Sequence, residues 1–388
     1  PDAALSAALL GERDPFRGEG ASRPGSRSDL ADRLEALDPR RHRSIFDARN
    51  QILGQLELEA RPRQPDGLLR AIAAAYLDRL CRRREPGSDR ALLVGGRGVR
   101  LARESAVRDA ELFVAVVVDA GRAGERAEGL VRVASAVERD WLPPELVVER
   151  EELQWDAARE RVAARRIARF HDLVLDEREV PIADPAAASA LLAERAAEAL
   201  ERALPLADPE VVGLLARIRF LARARPELGF EEPDESFQRS LLPELAAGRK
   251  SFDELRKAPL AEAIAGALGW QRRRALDTEA PERLEVPSGS RIRVDYSDPA
   301  RPVLAARIQE LFGLAASPRL AGGRVPALLH LLAPNGRPQQ VTDDLASFWR
   351  NTYPIVRKEL AGRYPKHAWP EDPTTARAER RPRRGFKP

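Results

Sequence analysis

The chain has 388 residues, with 65 Lys and Arg against 61 Asp and Glu, 43% hydrophobic residues, one cysteine and no methionine. This length allows two or three domains with sizeable cores, and no apolar run approaches the ~20 residues of a membrane-spanning helix. The single Cys81 excludes an internal disulfide and a cysteine-based zinc cluster, which suits a reducing cytoplasm.

No signal peptide is visible, and a chain that starts at Pro1 without any Met reads as a fragment whose amino-terminal part is missing. The basic residues are almost all Arg, with Lys only at 250, 257, 358, 366 and 387. Arginine's planar fork suits phosphate recognition, but a GC-rich genome produces the same enrichment.

Residues 3–10 read as the end of a helix, broken by Asp14-Pro15 ahead of a Gly, Ser, Arg and Pro loop at 18–28. Helical periodicity returns over 30–37 and 45–58. An amphipathic helix spans 68–80, and Arg82-Arg83-Arg84 leads into four short strands at 91–94, 99–103, 112–118 and 130–136. Gly-rich or polar turns separate them, which predicts a small β-barrel. Gly95-Gly96-Arg97-Gly98 reads as a hairpin turn. A phosphate loop needs Gly-Lys ahead of a helix, and the chain has no Gly-Lys pair.

Strands continue over 145–182, with a turn after Asp156. Arg165 and Arg166 point to opposite faces of their strand. His171-Asp172, read as adjacent strand residues, would do the same and form no catalytic dyad. The region 185–283 is helical, with segments at 186–204, 209–224, 236–247, 252–255 and 260–276 set apart by Pro or Gly. The acidic run 231–235 lacks the alternating ligand spacing of a calcium loop and reads as solvated.

Ser288-Gly289-Ser290 forms a turn, 291–296 alternates with a strand's period, and Ser297-Asp298-Pro299 stops it. Apolar residues over 303–312 recur at helical spacing. A short apolar run at 328–332 ends at the turn Pro334-Asn335-Gly336. Thr342 or Asp343 caps a helix over 345–360, with Leu345, Phe348, Trp349, Tyr353, Val356 and Leu360 on or near one face and Gly362 closing it. In the segment from Arg363 to Pro370, aromatics interleave with cations. It is either a stacking surface for single-stranded RNA or a packing strap anchored by Tyr364 and Trp369. Beyond 373, Arg377, Arg380, Arg381, Arg383, Arg384 and Lys387 face only Glu379, which predicts a disordered basic tail and a nonspecific nucleic-acid footprint.

The stretches PSGSRIRVDYSD, LLAPNGRPQQVTDDLASFWRNTYPIVRKEL and GRYPKHAWPEDP resemble the carboxy-terminal domain of the HrpB family of bacterial DEAH-box ATP-dependent helicases. LDRLCRRR followed by ALLVGGRGVRL resembles that family's oligonucleotide-binding (OB) fold, and ERDPF resembles the end of its ratchet-like helical domain. The resemblance implies an α+β, multidomain chain: a helical remnant at 1–66, an OB-like barrel at 67–144, a mixed β and helical C-terminal domain at 145–373, and the tail at 374–388. It also implies contact with single-stranded RNA. Phe113 is the lone aromatic of the barrel strands, so backbone contacts by Arg82, Arg83, Arg84, Arg97 and Arg100 are favoured over stacking there. Arg363, Lys366, Arg381, Arg383 and Arg384 complete the expected set.

No catalytic or metal-binding residue is expected. Neither the DEAH sequence nor a phosphate loop occurs in the chain, so ATP and Mg are expected on the RecA-like motor domains of the parent helicase. The chain alone would be catalytically silent, holding RNA and packing against that motor. The alternative reading is a non-catalytic protein-interaction scaffold built on an OB-like barrel; an independent hydrolase ranks third.

Overall fold

The computed structural model describes residues 1–16, 23, 25–56, 66–119 and 128–380. They divide into two compact units, one of residues 1–152 and 164–181, the other of residues 153–163 and 182–388.

The first unit opens with helices α1 (Asp2–Gly11), α2 (Asp29–Ala36), α3 (Arg43–Leu56) and α4 (Gly67–Ala75). Strands β1 (Leu80–Arg83), β2 (Arg90–Leu93), β3 (Arg97–Leu101), β4 (Leu112–Asp119) and β5 (Gly129–Val137) follow, closed into a barrel in the order β1-β2-β3-β5-β4. β3 and β5 pair in parallel; the other pairs are antiparallel. The predicted helix over 68–80 therefore stops early, and a fifth strand, β1, occupies its end and the arginine run.

Strand alternation explains why β4 is apolar on both faces. Phe113 and Ala115 point into the barrel with Cys81, Ala91, Val99 and Val131. Leu112, Val114 and Val116 point outward, against Leu9, Leu30, Ile45 and Ile72 of the helices. Full burial of a side chain the size of Phe113 contributes about 1.5–3 kcal/mol.

Asp29 ties α2 to this barrel. It is fully buried, and its carboxylate accepts from Ser105 Oγ (2.7 Å), Ala106 N (2.8 Å) and Ala134 N (2.9 Å). The preceding Ser28 caps the helix by accepting from Ala31 N.

Strands β6 (Val147–Asp156), β7 (Arg161–Phe170) and β8 (Leu173–Val180) form a three-stranded sheet in sequence order. His171 and Asp172 lie in the β7–β8 turn rather than in a strand, His171 with φ of 52°. The Asp172 carboxylate accepts from Gly95 N at 2.9 Å, clamping the β2–β3 turn. Gly95 and Gly96 both have positive φ (91° and 75°), the conformation that makes glycine the natural choice in such a turn.

The second unit contains α5 (Pro185–Ala197), α6 (Leu200–Ala203), α7 (Pro209–Ala224), α8 (Glu235–Ala246), α9 (Phe252–Leu255) and α10 (Leu260–Glu279). Its sheet is built from β9 (Arg283–Glu285), β10 (Arg291–Asp295), β11 (Val303–Arg307), β14 (Leu328–Leu332) and β15 (Pro338–Thr342), and a short ribbon from β12 (Arg319–Leu320) and β13 (Val325–Pro326). The sheet order is β15-β14-β11-β10-β9, with only β11 and β14 parallel.

The helix expected over 303–312 is instead β11 followed by a 3-10 turn over Ile308–Leu311. Leu304 and Ala306 are buried while Ala305 and Arg307 are exposed, a period of two that a ladder to β14 on one side and β10 on the other enforces.

The last helical stretch runs through α11 (Leu345–Ser347), a π-helical turn (Phe348–Thr352) and α12 (Tyr353–Arg363). Asp344, rather than Thr342 or Asp343, caps it, accepting from Ser347 N. Gly362 lies within the helix instead of closing it. Residues 374–380, expected as part of a free tail, are seated on the unit's core. Ala376 and Ala378 pack there, Gly313 N donates to Pro373 O, and Glu379 N donates to Gln309 O.

Among the described residues no helix is long and apolar enough to cross a membrane.

Candidate nucleic-acid interface

The barrel's outer face over β1, β2 and β3 carries the candidate site. Cross-strand register sets Arg82 opposite Leu92, Leu92 opposite Gly98, and Arg90 opposite Arg100. Arg84 N donates to Arg90 O, extending the same face. Side chains at alternate positions share a face, so Arg82, Arg84, Arg90 and Arg100 form one arginine stripe. Arg132 stands on the outward parity of the neighbouring β5 and is exposed.

Gly98 makes room for the stripe. A Cβ there would stand 3.3 Å from Arg84 Nη2 and 3.3 Å from Glu128 Cγ.

Carboxylates hold the stripe in place. Arg82 Nε meets Glu111 at 2.9 Å, Arg100 Nε meets Asp89 at 2.7 Å, and Arg132 Nε meets Asp119 at 2.5 Å. Arg84 and Arg90 share Glu128 more loosely, at 3.9 Å and 3.5 Å. The hydrogen bond to Asp89 raises the Arg100 pKa, and the same bond lowers that of Asp89. These pairs lie in water and are worth little to stability; they restrict where each guanidinium points.

Arg83 leaves the expected contact set. Strand alternation turns the middle residue of the arginine run inward, and only 4% of it is exposed. Its Nε donates to Ala110 O (2.9 Å), Nη2 to Val107 O (2.8 Å) and Nη1 to Ser88 O. Burial, and then the nearby Arg108, pull its pKa below the ordinary guanidinium value. With each of its three nitrogens bonded to a backbone carbonyl and the side chain buried, Arg83 presents nothing to a phosphate.

Arg97 is exposed at the start of β3. Phe113 is fully buried beneath Arg83 and offers no ring to a base.

Arg363 and Lys366 belong to the second unit and are both exposed. Arg363 pairs with Glu359 at 3.3 Å, one turn back on α12. The segment after it lies against the domain. Trp369 Nε1 donates to Tyr364 O (3.0 Å), Arg357 Nε to Trp369 O (2.8 Å) and Tyr353 Oη to Pro370 O (3.0 Å). Tyr364 and Trp369 are both partly buried against the unit's core, the geometry of a strap. Arg381, Arg383 and Arg384 lie outside the described residues.

Sequence reading missed Arg90 and Arg132. Arg90 follows Asp89 just before an apolar run, and pairing 90–93 with 97–101 across the turn would have brought it beside Arg100.

Among the described residues no group of three or more His, Cys, Asp or Glu could hold a metal ion.

Comparison with known proteins defines the class. Residues 241–373 match the family model HrpB_C, described as ATP-dependent helicase C-terminal. A curated relative, the ATP-dependent RNA helicase HrpB of Escherichia coli (strain K12), is 33% identical over 342 residues, covering 85% of this chain and 41% of the relative. The crystal structure of the E. coli DExH-box NTPase HrpB matches with a TM-score of 0.50 and 29% identity, covering 98% of this chain and 46% of that one. In sequence and fold the chain matches the C-terminal portion of the HrpB-like proteins. It spans less than half the length of the relatives it matches.

Proposed function

We propose that this chain is the accessory RNA-binding and motor-coupling region of an HrpB-like RNA helicase. The observation that carries the reading is the arginine stripe Arg82, Arg84, Arg90 and Arg100 on the β1–β3 face of a closed five-stranded barrel. A β1-β2-β3-β5-β4 order with parallel β3 and β5 supports an OB-fold, and OB-folds bind oligonucleotides over strands 2 and 3. Each guanidinium trades a carboxylate for a phosphate, and bidentate Arg–phosphate pairing favours the exchange. With no exposed aromatic on that face, contact goes to the backbone and is indifferent to base sequence. In this reading ATP and Mg belong to RecA-like motor domains elsewhere in the parent, and the protein works in the cytoplasm.

One observation favours the alternative of a protein-interaction scaffold. Asp89, Glu111, Asp119 and Glu128 offset much of the stripe's charge.

Affinity for a fluorescent single-stranded RNA across a salt series tests the reading. The double variant Arg84→Glu/Arg100→Glu should weaken binding at least about tenfold and flatten the salt dependence by roughly one unit of slope per lost contact. Undiminished binding by the variant would move the site off the barrel.

A further inference from the structure

We infer that Trp270 and Arg273, on the second unit, form a base-stacking platform for single-stranded RNA. The inference rests on the RNA-binding reading above and adds a site with different chemistry.

α10 is interrupted at Gly269, whose φ of 71° and ψ of 168° are not helical. A Cβ at Gly269 would meet nothing within 4 Å, so glycine serves the backbone turn there and not a close approach. The helix restarts at Trp270, which is 72% exposed, the most of any large apolar side chain on the described surface.

Residues three and four positions on share its face. Arg274 lies over the indole, its Cζ 5.5 Å from the ring centroid. A guanidinium on one side of a ring so exposed leaves the other side open to a second planar group, and a nucleobase is the planar group that also brings a phosphate.

The Arg273 side chain is exposed and, among the described residues, makes no ion pair or hydrogen bond, which suits it to that phosphate. Arg272 is turned to other work, donating to Leu268 O (2.9 Å) across the break and to Gly229 O (3.0 Å). Asp277, the acid on the Trp270 face, is paired with Arg217 at 3.0 Å.

The groove of about 790 Å³ beside this turn, between α7 and α10, is lined by four carboxylates (Glu210, Glu262, Asp277, Glu282) against three arginines (Arg217, Arg273, Arg293). It does not attract a polyanion, and the platform is confined to Trp270 with its arginines. Because Trp270 is flanked in sequence by Gly269 and Gln271 and carries Arg273 and Arg274 on its helical face, a stacked base fits better than an apolar protein face.

The test uses the full chain with a fluorescent oligouridylate and an abasic oligomer of the same length. Trp270→Ala should weaken oligouridylate binding about tenfold and Trp270→Phe much less. Trp270→Ala should also erase the wild-type preference for bases over abasic sites, which a purely structural role would not touch. Arg273→Ala should lower the salt slope by about one. Wild-type binding that is indifferent to Trp270→Ala overturns the platform while leaving RNA binding by the chain intact. Unchanged RNA affinity with loss of self-association by sedimentation would make Trp270 a protein contact instead. No RNA binding by the wild type defeats the RNA reading and the platform together.

Discussion

The guanidinium of Arg83 lies 5.5 Å from the centre of the Phe113 ring, inside the barrel wall. It holds the β1–β2 turn through Ser88 O and the segment before β4 through Val107 O and Ala110 O. A charge in such a place is tolerated only while hydrogen bonds offset its lost hydration. Arg83→Met should therefore cost about 3 kcal/mol by leaving three carbonyls unpaired. Arg83→Lys should recover little, because an ammonium cannot copy the fork. Urea unfolding checks this; a wild-type midpoint for Arg83→Lys would contradict the clamp.

Asp29 couples helix to barrel by a similar logic with the sign reversed. Its carboxylate accepts two backbone amides and one hydroxyl while fully buried. Asp29→Ala should cost about 2–4 kcal/mol. Asp29→Asn should cost nearly as much, since in either amide orientation an NH2 group faces a backbone N–H. Both are read from denaturant midpoints, and a neutral Asp29→Asn would show that the three bonds are dispensable.

Cys81 reports barrel opening. It is fully buried between β2 and β4, and burial pushes its thiol pKa up to about 12. The thiolate is the reactive form, so alkylation should be negligible in the native state at neutral pH. It should become fast only in denaturant, and rapid native labelling would mean that the barrel opens readily.

Glu227 gives a pH signature. Its pKa is lowered from 4.5 to about 2, by its own backbone amide first and then by Arg225 and Arg324. A depressed carboxylate pKa contributes stability that is present above the unfolded value of about 4.5 and is lost as pH falls toward about 2. Glu227→Gln should flatten the acid side of the stability curve across that window, with little change at pH 7 beyond the lost pairing. The site is exposed, so salt should shrink the effect. An unchanged acid limb in thermal melts across that range would contradict it.

Much of the barrel was legible because its strands alternate between short Gly-rich turns, and 91–94, 112–118 and 130–136 fall within a residue or two of the observed strands. The arginine run was harder. Arg82-Arg83-Arg84 looks like a surface cluster, whereas a strand sends its middle member inward, and only the pairing of β1 with β2 and β4 makes it a strand. At 303–312, Leu304, Ala306 and Ile308 have strand spacing, but Leu311 and Phe312 follow on a 3-10 turn, so the apolar positions mimic a helical stripe. Parallel pairing with β14, 25 residues away at Val303 and Leu328, is a tertiary fact that local periodicity does not carry. Trp270 did leave a signal, a glycine inside a helical pattern followed by an aromatic and three arginines, but only its exposure separates it from a core residue.

RNA binding by the folded parts of this chain stands or falls on one comparison. The most direct measurement is single-stranded RNA affinity across a salt series for the full chain beside a chain lacking residues 381–388, which removes Arg381, Arg383, Arg384 and Lys387 while leaving the seated segment 374–380. Binding should survive the deletion and still weaken steeply with salt. Loss of all binding with those eight residues, counted from 381 to 388, would contradict it and leave the barrel as a platform for protein.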